Sequence, residues 1–156
     1  MNGANMIDGR IGKPILIATL VCGTLDIVFA MVLTVLRGRE IPSMLRYVAS
    51  GPFPQAMEWG AAGFALGLAV HFTLMAIMIA AFVFIARSRT HLLDMPVRAG
   101  LAFGVLTYFI MNWVVVPLRF HTPLPPQLLP IATQLFAHVV LVGFPTAFIT
   151  RRYLRG

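Results

Sequence analysis

Four strongly polar side chains interrupt the long apolar stretches of this chain, and their types could support chemistry: Asp26, His71, Asn112 and His138. An ionisable side chain in hydrocarbon is costly unless it is protonated, paired or hydrated, so it marks a candidate functional site that needs a partner. A carboxylate close to imidazoles can exchange protons near neutral pH. Two histidines can also bind a haem iron or, together with a carboxylate, a zinc or iron ion.

The buried polar cluster that these four residues are predicted to form is open to several interpretations. In a structural clamp, Asp26 accepts a hydrogen bond from a histidine or from Asn112 and so sets the register of the helices. In a proton- or cation-handling protein, Asp26 carries the ion while His71 and His138 relay it. In a b-type haem protein the two histidines are the axial ligands, and in a metal site His71, His138 and Asp26 are the ligands.

Familiar catalytic motifs are missing from the sequence. It has no Gly-x-Ser-x-Gly, no His-Glu-x-x-His and no glycine-rich phosphate loop. We therefore predict no catalytic residue and no resident cofactor, and we interpret the chain first as a structural or accessory membrane protein with a buried polar cluster. Proton or cation handling is the alternative, and a bis-histidine haem or metal protein is the further alternative.

The elements that must position these residues are predicted from composition. With 59% hydrophobic and 11% charged residues, the chain has too few polar groups to cover the surface of a soluble domain. A membrane-spanning helix needs about 20 apolar residues, and four such stretches occur at 14–36, 61–86, 97–118 and 130–150. We predict an all-α bundle of four transmembrane helices that forms a single integral membrane domain over residues 1–156.

These spans place the four polar residues at a similar depth. Each lies six to ten residues from the membrane boundary that faces the first and third connections, which corresponds to about 9 to 15 Å at about 1.5 Å per residue. On the first span, small and polar residues recur at helical spacing and predict an inward face. These residues are Thr19, Cys22, Gly23, Asp26 and Ala30.

Lysine and arginine residues flank the spans instead of forming one patch. Eight of the 12 lie in the N-terminal tail, the second connection and the C-terminus, and four lie in the first and third connections. The positive-inside rule therefore predicts that both termini are cytoplasmic. We expect this basic side to contact anionic lipid headgroups, and the net charge of +7 needs no nucleic-acid partner.

The first connection is predicted to contain a short amphipathic helix over residues 41–50. Met44, Leu45 and Val48 share one face, opposite Arg46 and Ser50, as in a helix that lies in the membrane interface. Two interpretations remain open, since this helix could cap the bundle at its surface or form a lid over the polar cluster.

Small residues four apart begin the second and third spans. Gly63 and Gly67, like Gly100 and Gly104, allow close approach of another helix. We expect this packing to be internal, with a homo-oligomer as the alternative. Pro145 lies inside the fourth span and is expected to kink it, which frees a carbonyl for a neighbouring group.

The chain also resembles a group of uncharacterised bacterial four-helix inner-membrane proteins. The resemblance is carried by Gly23-Thr-Leu-Asp26, residues 45–51 and 69–72, Tyr108, residues 111–118, His138 and Gly143-Phe-Pro145. More distantly, it is similar to YagU-type inner-membrane proteins, which also have a histidine in a middle helix and a Phe-x-His in the last helix, here Phe136 and His138. The resemblance implies a multi-pass protein of the bacterial inner membrane. The acid-stress role attached to YagU-type proteins would fit a proton-handling cluster.

Overall fold

The prediction of an all-α fold is confirmed. A computed structural model describes the backbone of residues 3–155 and the side chains of residues 11–155, and every regular element in this part of the chain is helical. Four helices are long and apolar enough to cross a membrane, as expected of a polytopic membrane protein. We call them the first to fourth spans: Ile11–Leu36, Gly60–Ser88, Pro96–Phe120 and Leu128–Arg155.

The helical elements follow one another with short connections. They are α1 (Gly3–Leu36), α2 (Ile41–Ala49), a 3₁₀ turn (Pro54–Glu58), α3 (Gly60–Ser88), α4 (His91–Asp94), α5 (Pro96–Phe109), α6 (Val116–Phe120), α7 (Leu128–Phe136) and α8 (Phe144–Arg155). We call the end of the bundle that carries α4 and Arg155 the terminal end, and the opposite end the α2 end. At the terminal end, Arg155 forms an ion pair with Asp94 of α4.

Two spans contain a π-helical segment that widens the helix. In the third span this segment is Ile110–Val115, and in the fourth it is Ala137–Gly143. Each segment ends two residues before a proline, Pro117 or Pro145. Proline has no amide hydrogen and its ring crowds the carbonyl of the preceding turn, so a wider turn accommodates it. The two segments carry Asn112 and His138, so the local irregularity coincides with two of the predicted site residues.

The bundle is arranged around the first and fourth spans. The first span packs against the second and the fourth, and the fourth packs against the third. The buried core between them includes Cys22, Ile79, Val83 and Val142. Near the terminal end the second and third spans also meet, where the rings of Phe82 and Phe103 lie 4.9 Å apart.

Close packing of the third and fourth spans depends on glycine. A Cβ atom at Gly104 would lie 2.5 Å from the His138 carbonyl oxygen, and one at Gly100 would lie 2.9 Å from the Gly143 carbonyl oxygen. Both neighbours are backbone atoms that cannot rotate away. The glycines of the third span therefore serve packing inside one chain, and they bring the backbone of His138 against the third span.

The helix predicted in the first connection is present as α2, and it packs deep against the second span. Leu45 and Ala49 are fully buried, and a Cβ atom at Gly67 would collide with the Leu45 backbone. Gly67 lies seven residues into α3, so α2 reaches about 10 Å below the start of that helix. α2 therefore packs closely against the glycines at the start of the second span.

The C-terminal end of α2 is attached to the third span. Arg119 donates hydrogen bonds from Nε to the Gly51 carbonyl at 2.5 Å and from Nη2 to the Ser50 carbonyl at 2.6 Å. The ring of Tyr47 stacks on that of Phe120 with centroids 4.3 Å apart. Carbonyls at a helix C-terminus have no intrahelical donor, so a cation is favourable there. α2 is therefore held between the second span and the end of the third.

Candidate functional site

Asp26 and His71 face each other across the first and second spans. The Nδ1 atom of His71 lies 3.9 Å from Oδ2 of Asp26, and the side chains are 11% and 21% exposed, respectively. Their helices pack side by side. The bare Gly23 backbone allows this approach, because a Cβ atom at that position would lie 2.6 Å from the ring of Phe72, the neighbour of His71.

The other nitrogen of His71 determines where the ring carries its proton. Nε2 lies 2.9 Å from the Gly23 carbonyl oxygen, and because a carbonyl can only accept, Nε2 must be the donor. In a neutral ring, Nδ1 then presents a lone pair towards Asp26. We call this arrangement the Asp26–His71 pair.

The Asp26–His71 pair is suited to hold one exchangeable proton. The proton resides either on Asp26, as a carboxylic acid facing neutral Nδ1, or on Nδ1, as an imidazolium facing a carboxylate. Both states are electrically neutral, whereas the pair without that proton carries a net negative charge within the span. At 3.9 Å the two atoms are too far apart for a direct hydrogen bond, so transfer requires an approach of about 1 Å or one bridging water.

His138 forms a second polar contact between the third and fourth spans. Its Nδ1 atom lies 3.1 Å from Thr107 Oγ1, and its ring meets the edge of Tyr108 with centroids 6.1 Å apart. The Thr107 hydroxyl itself donates towards the Phe103 and Gly104 carbonyls, at 2.9 and 3.1 Å. The hydroxyl hydrogen is therefore used within the third span, and its oxygen accepts from His138 Nδ1–H. This contact ties the two spans together.

Asn112 bonds within its own span. Its Nδ2 atom donates to the Tyr108 carbonyl at 3.2 Å, at the junction where the α-helix gives way to the π-helical segment. The neighbouring Trp113 donates from Nε1 to the Tyr108 hydroxyl at 3.3 Å. Asn112 thereby supports the irregular turn of the third span.

The four predicted site residues thus fall into separate groups. Within residues 11–155, no hydrogen bond or ion pair joins Asp26 or His71 to Asn112 or His138. The same residues contain no group of three or more His, Cys, Asp or Glu side chains placed to hold a metal ion. The arrangement is one carboxylate–imidazole pair on one side of the bundle and one imidazole–hydroxyl contact on the other.

α2 lies just beyond the Asp26–His71 pair towards the α2 end. The Leu45 backbone contacts the second span at Gly67, one turn before His71, which corresponds to about 6 Å along the helix. α2 is therefore packed against the second span one turn from His71. The surface cap and the lid over the polar cluster both stay predictions.

Sequence reasoning missed the partners that the two histidines use, Gly23 and Thr107. A backbone carbonyl carries no sequence signature, although Gly23 belongs to the predicted inward stripe. Thr107 lies three residues after Gly104, on the same face of the third span as Gly100 and Gly104. This spacing is the sequence feature that could have identified Thr107 as a residue facing another span.

Comparison with protein-family profiles, with curated proteins and with solved structures finds no match.

Proposed function

We propose that this chain is a bacterial inner-membrane protein with cytoplasmic termini in which the Asp26–His71 pair binds and releases a proton. The observation that carries the proposal is the hydrogen bond from His71 Nε2 to the Gly23 carbonyl. It leaves Nδ1 facing Asp26 as the only ring nitrogen free to gain or lose a proton. A carboxylate that faces such a nitrogen within a span is the arrangement that proton-handling membrane proteins use.

The orientation follows from charge. Eight lysines and arginines, against four, lie at the terminal end or in the segments that connect there, which supports a cytoplasmic location for that end. The same basic side would attract anionic lipid headgroups. Homo-oligomerisation stays a prediction from the sequence.

The decisive experiment compares Asp26→Asn with the wild-type chain in sealed vesicles that contain a pH-sensitive dye. Asparagine keeps the shape of the side chain but cannot exchange a proton. We expect proton movement driven by a pH step to fall about tenfold or more, as when a positioned acid or base is removed. Asp94→Asn, outside the spans and paired with Arg155, is the matched control and should retain the flux. Equal fluxes in Asp26→Asn and wild type would refute the proposal.

An equilibrium measurement tests the same pair without a flux. The infrared spectrum of the reconstituted protein should contain a carboxylic-acid C=O band that changes with pH and disappears in Asp26→Asn. A spectrum without any such band would mean that Asp26 stays a carboxylate and that the pair does not hold the proton on oxygen.

A structural role is the second candidate, and it is favoured by the two histidine contacts between spans. His71 bonds to the first span and His138 to the third, and such bonds contribute about 0.6 kcal/mol on average within membranes. If this is the whole role, His71→Ala and His138→Ala will lower the unfolding free energy while leaving any proton flux unchanged.

A further inference from the structure

A seam of small hydroxyl and thiol side chains leads from the Asp26–His71 pair towards the terminal end. It lies between the first and fourth spans, which pack against each other. Thr146 and Thr150 are fully buried, Cys22 is fully buried and Thr19 is 8% exposed. We call these four residues the hydroxyl seam.

The centre of the hydroxyl seam is a direct contact between the two spans. Cys22 Sγ lies 3.4 Å from Thr146 Oγ1 and 3.6 Å from the Val142 carbonyl oxygen. Cys22 is one turn below Asp26 on the first span, about 6 Å away along the axis. Cys22 therefore lies on the same face of the first span as Asp26, one turn nearer the terminal end.

The next turn contains two hydroxyl groups without a partner. Thr19 Oγ1 and Thr150 Oγ1 are buried and form no hydrogen bond within the described residues. The first and fourth spans are antiparallel. Thr19, one turn before Cys22, and Thr150, one turn after Thr146, are therefore both displaced towards the terminal end. The two hydroxyls therefore lie at matching heights on facing helices, about 10 Å from Asp26 along the axis.

This lack of partners contrasts with other threonines of the same bundle. Hydroxyls in helices can donate to the carbonyl four residues earlier, and four threonines in the spans do so at 2.7 to 3.0 Å. They are Thr34, Thr73, Thr107 and Thr133. Thr19 and Thr150 also lie within helices, but their hydroxyls do not form this bond to the carbonyl four residues earlier. A buried polar atom without a partner is destabilising unless water or an ion satisfies it.

We infer that the hydroxyl seam binds ordered water between Thr19 and Thr150 and that this water extends the proton path of the Asp26–His71 pair by about 10 Å towards the terminal end. The inference rests on the proposed function. A water molecule between two hydroxyls accepts from one and donates to the other, and each hydroxyl can reverse its role. An excess proton on this water can then pass through Thr146 and Cys22 to Asp26, and each oxygen or sulfur atom releases one proton as it receives another.

The test removes both hydroxyls while keeping side-chain shape, in Thr19→Val/Thr150→Val. In vesicles with an internal pH dye we expect proton flux to fall about tenfold, equivalent to about 1.4 kcal/mol. Thr73→Val is the matched control, since Thr73 is exposed on the second span and bonds to its own helix, and it should keep the wild-type flux. Thr19→Ser/Thr150→Ser retains both hydroxyls and should also keep it. Unchanged flux in the double valine variant would overturn the inference.

Thermal unfolding in detergent gives a second readout that does not depend on flux. Removing a dry, unsatisfied hydroxyl stabilises a protein, whereas removing a hydrated one does not. A higher unfolding temperature in the double valine variant would show that the seam is dry and would overturn the inference. If the wild-type chain moves no protons and resembles Asp26→Asn, the proposed function fails, and the unfolding comparison still decides whether the seam holds water.

Discussion

Gly104→Ala is expected to separate the third and fourth spans and to break the contact between His138 and Thr107. The added Cβ would lie 2.5 Å from the His138 carbonyl oxygen, whereas ordinary contact begins at 3.4 Å. The backbones must therefore move apart by about 1 Å, which lengthens the contact between His138 and Thr107 from 3.1 Å to about 4 Å, beyond hydrogen-bond range.

The magnitude follows from two losses. Overpacking typically costs about 1 to 3 kcal/mol, and a buried hydrogen bond contributes about 1 kcal/mol. The better helix propensity of alanine offsets up to about 1 kcal/mol. We expect Gly104→Ala to lower the unfolding free energy by about 1 to 3 kcal/mol.

The assay is unfolding in mixed micelles followed by circular dichroism, with Gly12→Ala as the matched control. No atom lies within 4 Å of the Cβ position at Gly12, so that variant should be as stable as the wild type or more stable. Thr107→Val should lower the unfolding free energy less in the Gly104→Ala background than in the wild type, because its bond to His138 is already broken there.

Two results would refute the argument. If Gly104→Ala is as stable as Gly12→Ala, the close approach of the two spans is not needed. If it removes the infrared acid band of Asp26, the carboxylate–imidazole pair is not independent of the His138 contact.

Two further predictions concern α2 and the histidines. Arg119→Gln should release the end of α2 at Ser50 and Gly51, and losing about 2 kcal/mol of charge-assisted hydrogen bonds would speed hydrogen exchange of the α2 amides roughly 30-fold. Mass spectrometry measures this exchange, with Arg119→Lys as the variant that keeps the charge. Unaltered exchange would mean that α2 is held by packing alone. The absorption spectrum of protein purified from haem-sufficient cells should lack a Soret band, because His71 bonds to Gly23 of the first span and His138 to Thr107 of the third, so the two rings do not face one shared site. A Soret band that disappears in His71→Ala and His138→Ala would instead establish the bis-histidine haem protein.

The polar residues of the spans show how far sequence reasoning extends here. The depth of each polar residue in the membrane follows from the number of residues between it and the end of its apolar stretch. This count places Asp26 and His71 at similar depths, and the two side chains do face each other. The count treats each span as a regular helix, however, and the π-helical segments at Asn112 and His138 change the direction in which those side chains point. Their partners are Tyr108 and Thr107.

Composition and the spacing of apolar residues alone determined the four membrane-spanning helices, because hydrocarbon admits only segments that satisfy their own backbone hydrogen bonds. The same physics makes Asp26 and the histidines conspicuous in the sequence. Tertiary structure decided which polar groups pair, because pairing depends on which helices are neighbours and on the rotation of each about its axis. It also placed α2 against Gly67 and left the hydroxyls of Thr19 and Thr150 facing a buried seam, since close approach and hydrogen-bond satisfaction depend on facing helices and not on one helix alone.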